Sequence, residues 1–110
     1  MKLNNVPYEL IDWKGVETSL ITGLEKKALA RIKNFDEIRL RVIEKEPGYR
    51  ADHFCKKGHI IFVIEGSMDI EFENGDKVPI STGQSIFISD DNQYGHTTFT
   101  EKGIKYFIID

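Results

Sequence analysis

The chain has 110 residues, 40% of them apolar and 30% charged, with a formal net charge of −3. That length falls in the commonest single-domain range, so one domain with one core is expected over residues 1–110, without room for a separate regulatory or nucleic-acid-binding module. No run of about eighteen apolar residues suggests a membrane span, and the lysines occur as pairs (Lys26-Lys27, Lys56-Lys57) among acidic or polar neighbours, not as the basic stripe of a nucleic-acid binder.

The start, Met1 to Trp13, carries a single lysine and no apolar stretch of the length a secretory signal needs, which points to the cytoplasm. Residues 1–25 are ambiguous: Tyr8 to Trp13 reads as a strand and Val16 to Ile21 as a helical turn, with neither favoured. This segment is expected to pack on a barrel formed by 26–110. From residue 36 onward, short β-branched and aromatic runs alternate with turn residues and no helical period is sustained, so the chain reads as all-β. Strands are expected near 26–34, 37–46, 49–54, 59–65, 67–73, 76–80, 85–89, 95–101 and 104–109.

Ile38, Leu40 and Val42 alternate with Arg39 and Arg41, and Met68, Ile70 and Phe72 with Asp69 and Glu71; each set predicts a half-buried strand with one face to the core. Ile60 to Ile64 is apolar on both faces, which fits a strand covered on both sides or one lying in a subunit contact. On that ground a homodimer is expected. Asn74-Gly75 is the clearest hairpin signal, as a type I′ turn needs positive φ at both central residues.

The chemistry concentrates in one short stretch. The protein has one cysteine and three histidines, and His53, Cys55 and His59 fall within seven positions; His96 stands alone. A lone cysteine forms no intramolecular disulfide and must be buried filler, a metal ligand or a reactive thiol. On a strand, His53 and Cys55 would project to one face, and a turn at Lys56-Lys57-Gly58 would bring His59 back opposite them. The ordinary reading of each residue, a surface or core histidine and a buried thiol, is weakened by their concurrence.

These residues resemble the two motifs of the cupin superfamily. Pro47-Gly48 looks like the opening of the first motif, with Gly48 one residue closer to His53 than usual; His53 takes the first histidine position, Cys55 the second, and His59 stands where a glutamate belongs, six residues before Gly66. The second motif maps from Gly83 through Ser89, in place of a proline, to His96. Asp52-His53-Phe54-Cys55 is similar, more narrowly, to the label of the Asp-His-Cys-Trp motif cupins, with phenylalanine for tryptophan. The resemblance implies a small double-stranded β-helix, or jelly-roll barrel, binding one divalent transition metal through His53, Cys55, His59 and His96. Relative to the usual three imidazoles and a carboxylate, a thiolate replaces the single anionic ligand, which favours zinc first, with iron, nickel or copper as alternatives.

Two functions follow as expectations: a metal-binding barrel holding a small anionic or carbonyl-bearing molecule, or a metal-dependent enzyme of dioxygenase or isomerase/lyase type. A metal-free barrel with Cys55 as a redox sensor is a third. Arg41 is a candidate anion partner by charge alone, although beside the core-facing Leu40 its ordinary place, with Arg39, is a solvated outer face. Tyr49 and Tyr106 either line the cavity or merely pack.

Overall fold

A computed structural model describes residue 3 and residues 7–110. Its strands are β1 (Thr18–Thr22), β2 (Lys27–Phe35), β3 (Ile38–Lys45), β4 (His59–Phe72), β5 (Lys77–Ser81), β6 (Ser85–Ile88), β7 (His96–Phe99) and β8 (Ile104–Ile109), all paired antiparallel. The all-β expectation holds. Among the described residues the helices are two 3-10 turns, Trp13–Gly15 and Asn92–Tyr94, neither long nor apolar enough to cross a membrane.

Strand order β1-β2-β3-β8-β4-β5 makes β4 the spine, with β6 and β7 also pairing onto it. The first half of β4 pairs with β6 and β8, the second half with β5 and β7. The two runs expected as separate strands, 59–65 and 67–73, are therefore one strand. Gly66 bends it without ending it. A register shift between Val63 and Glu65 and a φ of +92° at Gly66 turn the chain from one sheet into the other. A Cβ at Gly66 would run into the Gly103 carbonyl, so only glycine serves there.

Two segments that the sequence leaves open are decided, and one further expectation needs correction. Thr18–Thr22 is an edge strand on β2, not a helical turn, because its threonines and Ile21 suit an extended chain beside an open sheet edge. Tyr8 to Asp12 forms no strand; Asp12 instead caps the Trp13–Gly15 turn by accepting from Lys14 N at 3.2 Å, and the Trp13 ring meets Phe107 edge-on on the outside of the sheet. The 49–54 run is not a strand. It lies beside β7, but Gly48, Ala51 and Cys55 N donate to Thr100, Thr98 and His96 O, advancing three and then four residues against two each time. Those extra residues bulge and destroy the two-residue alternation.

The Asn74-Gly75 hairpin forms with a different turn. Only Gly75 has positive φ, Gly75 N donates to Phe72 O, and Phe72 N donates to Asp76 O, which describes a three-residue loop with a glycine bulge in place of a type I′ turn.

The phase of β3 is inverted relative to the sequence pattern. Ile43 pairs with Tyr106 and Arg41 with Ile108, and Arg39, Arg41, Ile43 and Lys45 line the interior, while Leu40 and Val42 face outward. Val42 is nevertheless 8% exposed, because the outside of this sheet is covered by the segment around Trp13. The core proper runs through Ala28, Ala30, Ile61, Val63, Met68, Ile70 and Ile80, on the faces opposite those of Ile60, Phe62 and Ile64. Fully burying side chains such as Ile70 and Val63 contributes roughly 1.5–3 kcal/mol each.

Candidate metal centre and cavity

Cys55, His59 and His96 bring their ligand-capable atoms within 4.8 Å of one another. Cys55 and His96 are held face to face by a reciprocal main-chain pair, Cys55 N to His96 O at 2.6 Å and His96 N to Cys55 O at 2.9 Å. His59 comes from the opposite sheet as the first residue of β4, paired with Ile88. It is set by Gly58, whose N donates to Asp90 Oδ1 and whose missing side chain would strike Ile88 O at 2.6 Å. The His59 Nε2 lies 3.3 Å from Cys55 Sγ, and the two imidazoles meet edge-on with centroids 5.0 Å apart. Convergence is thus across the barrel, not around one hairpin.

Behind each imidazole stands an oxygen. His96 Nδ1 lies 2.9 Å from Tyr94 O, so its N–H donates to that carbonyl and Nε2 is left for a ligand. His59 Nδ1 lies 2.9 Å from Asp110 Oδ2. That approach is short but off the N–H axis, and Nδ1 has no well-aligned acceptor, so the attraction is one of charge more than of a directed hydrogen bond. An oxygen behind a ligating histidine fixes its tautomer and orientation.

Asp110 was not legible as a site residue by motif, yet its side chain is fully buried, pairs with Arg39, Arg41 and Lys57, and lies against the His59 imidazole. Arg39 donates to both carboxylate oxygens at 2.8 and 2.9 Å, and Arg41 Nη2 to Oδ2 at 2.8 Å. Burial alone would push this carboxyl up; the Arg39 hydrogen bond and the charges of Arg41, Arg39 and His59 outweigh it and hold it down at about 2. Burial pushes His59 down to about 4, with Asp110 opposing and His96 and Arg41 reinforcing the shift. His59 is therefore a neutral imidazole at pH 7, the form that ligates.

The other expected residues divide. His53 lies outside the converging group, its side chain 70% exposed at the cavity rim with Nδ1 2.7 Å from Asp52 Oδ1. The bulged backbone at 49–55 is what separates it from Cys55. Arg41 does not lie on a solvated outer face; it lines the cavity, paired to Asp110. Tyr49 and Tyr106, each 4% exposed, both line a cavity of about 290 Å³ together with the three donors. Glu65 lies within β4 opposite Lys105.

Among solved structures, a cupin-2 domain protein from Rhodospirillum rubrum shares 12% identity, covers 92% of this chain and 72% of its own, and superposes with a TM-score of 0.69. An RmlC-like cupin from Shewanella frigidimarina gives 13% identity, 93% and 88% coverage and a TM-score of 0.72. The fold is that of a cupin. The polyketide cyclase RemF from Streptomyces resistomycificus is also similar to this chain, with 19% identity, 93% and 78% coverage and a TM-score of 0.74. No protein-family model and no curated protein matches the sequence.

The donor set suits a metal ion: two nitrogens and a sulfur, buried or half-buried, at mutual distances a single ion can bridge. Among the described residues, Cys55, His59 and His96 are the group that could hold one.

Proposed function

We propose that this protein binds one divalent transition metal through Cys55, His59 and His96, and takes a small molecule in the cavity beside it. The observation that supports this is the convergence of three donors from two sheets, with both imidazoles backed by oxygens that leave Nε2 facing a ligand. Zinc leads on the chemistry of the set, with iron, nickel or copper as alternatives. Three protein donors leave a coordination position for water or ligand, and a bound ion would supply Lewis acidity there. Asp110 orients His59, the Tyr94 carbonyl orients His96, and Ile61 and Ile108 exclude water from the cavity wall.

Plasma mass spectrometry of the untagged protein should find about one such metal per chain. None bound, and none taken up when zinc is offered, would defeat the proposal. The vacant position also suits a metal-dependent enzyme of dioxygenase or isomerase/lyase type, and iron as the resident metal would favour that reading over a zinc-holding binding module. A cytoplasmic setting, in which the Cys55 thiol stays reduced, belongs to the same proposal, as does the lack of any nucleic-acid or membrane partner.

A homodimer completes it. Leu40, Ile109, Ile60 and Phe87 fall in one row across β3, β8, β4 and β6 on the outer face, and Phe62 lies in the next row. Phe87 is 82% exposed and Ile60 and Phe62 nearly half exposed, an apolar surface of the kind that a second copy covers. Light scattering at micromolar concentration should give twice the monomer mass, and Phe62→Lys should return the monomer; a wild-type monomer would end this part of the proposal.

A further inference from the structure

The cavity contains a cation that the metal centre does not use. Lys45, the last residue of β3, shares the inward row of Arg39, Arg41 and Ile43. Its ammonium donates to Thr98 Oγ1 at 2.8 Å and stands 5.1 Å from the centre of the Tyr49 ring and 5.0 Å from that of Tyr106. Among the described residues, no carboxylate forms an ion pair with it.

Arg39 and Arg41 differ, since both are answered by Asp110. Three cations thus face the interior with one buried carboxylate among them. Arg41 Nε, moreover, is buried without a partner, a second donor awaiting an acceptor. A charge withdrawn from water costs free energy that a hydroxyl and two aromatic faces return only in part. What would return the rest is an anion. Ile43, Ile61 and Ile108 supply an apolar wall, and about 290 Å³ accommodates only a small molecule.

We propose that the cavity binds a small organic carboxylate, with its anionic end on Lys45 between Tyr49 and Tyr106 and its carbon skeleton against Ile43, Ile61 and Ile108. This rests on the reading of the cavity as a ligand site, but its anchor is Lys45 and not the metal. Burial, then Tyr106 and Asp52, push the Tyr49 hydroxyl above its usual range, so it stays a neutral phenol able to donate to a carboxylate.

The test is calorimetric titration of succinate and benzoate into the protein as purified and into Lys45→Met, with zinc affinity measured on the same samples. A charge-assisted contact of this kind predicts that Lys45→Met weakens the better carboxylate by about tenfold to a hundredfold, with zinc affinity unchanged. Equal carboxylate affinity in both proteins, or none in wild type, overturns the proposal whatever the zinc result. Tighter binding of inorganic phosphate than of either carboxylate overturns the ligand class. Lys45-dependent binding in a protein that takes up no zinc upholds this inference and removes the metal centre instead. A measurement on wild type alone guards against misfolding of the variant. Succinate at about ten times its Kd should slow acetylation of Lys45 by acetic anhydride about tenfold, with exposed Lys102 as internal control; unchanged labelling of Lys45 overturns the proposal.

Discussion

Cys55→Ala and His59→Ala should each weaken zinc binding by about a hundredfold or more, while His53→Ala should leave it within about threefold. Losing a residue behind a ligand typically costs tenfold to a hundredfold, so losing a ligand should cost at least as much. Cys55 carries the extra weight of being the only anionic donor in the set. His53 stands 70% exposed with its Nδ1 on Asp52, and reaching the other three would require the 49–55 bulge to straighten. Competition against a chromophoric chelator measures all three variants on one scale. If His53→Ala loses as much affinity as Cys55→Ala, the metal has four protein ligands, and the vacant position assigned to it disappears.

What the sequence made visible and what it hid follow from one geometric fact. Alternation with period two reads faces only where pairing is regular. Along β8 it is regular, and Ile104, Tyr106 and Ile108 all point inward; one more step of two reaches Asp110, so the buried carboxylate was legible to a reader who continued the count. Along 49–55 pairing is bulged, and the inference that His53 and Cys55 share a face fails for that reason. On β3 the period was right and the phase wrong. Leu40 and Val42 look like core residues beside two arginines, but a polar cavity draws Arg39, Arg41 and Lys45 inward, and the outer face is itself partly covered by the Trp13 segment. The pairing of Cys55 with His96, forty-one positions later, required topology that no local pattern carries.

Asp110→Asn is expected to lower folding stability by about 3 kcal/mol at pH 7, because removing one partner of a buried ion pair strands the other. Arg41, with a side chain only 14% exposed, is the residue stranded; Arg39, at 37%, recovers part of its hydration and tempers the loss. The pH dependence gives the sharper reading. Folding lowers the Asp110 carboxyl from its ordinary 3.8 to about 2, so the folded state favours its ionised form. The resulting stabilisation is complete above about pH 4 and drains away as pH falls through 2, below which both states hold the proton. Asparagine has no proton to exchange. Urea unfolding of wild type and variant should therefore give curves of stability against pH that lie apart at pH 7 and converge toward pH 2. His59, pushed down to about 4 by burial against the opposing pull of Asp110, loses its own contribution between 6.5 and 4 in the wild type, and in the variant, without that pull, the slope should persist and extend to lower pH. A gap that stays constant down to pH 2.5 would mean that the Asp110 charge is not what stabilises this end of the barrel, and the orientation of His59 would need another cause.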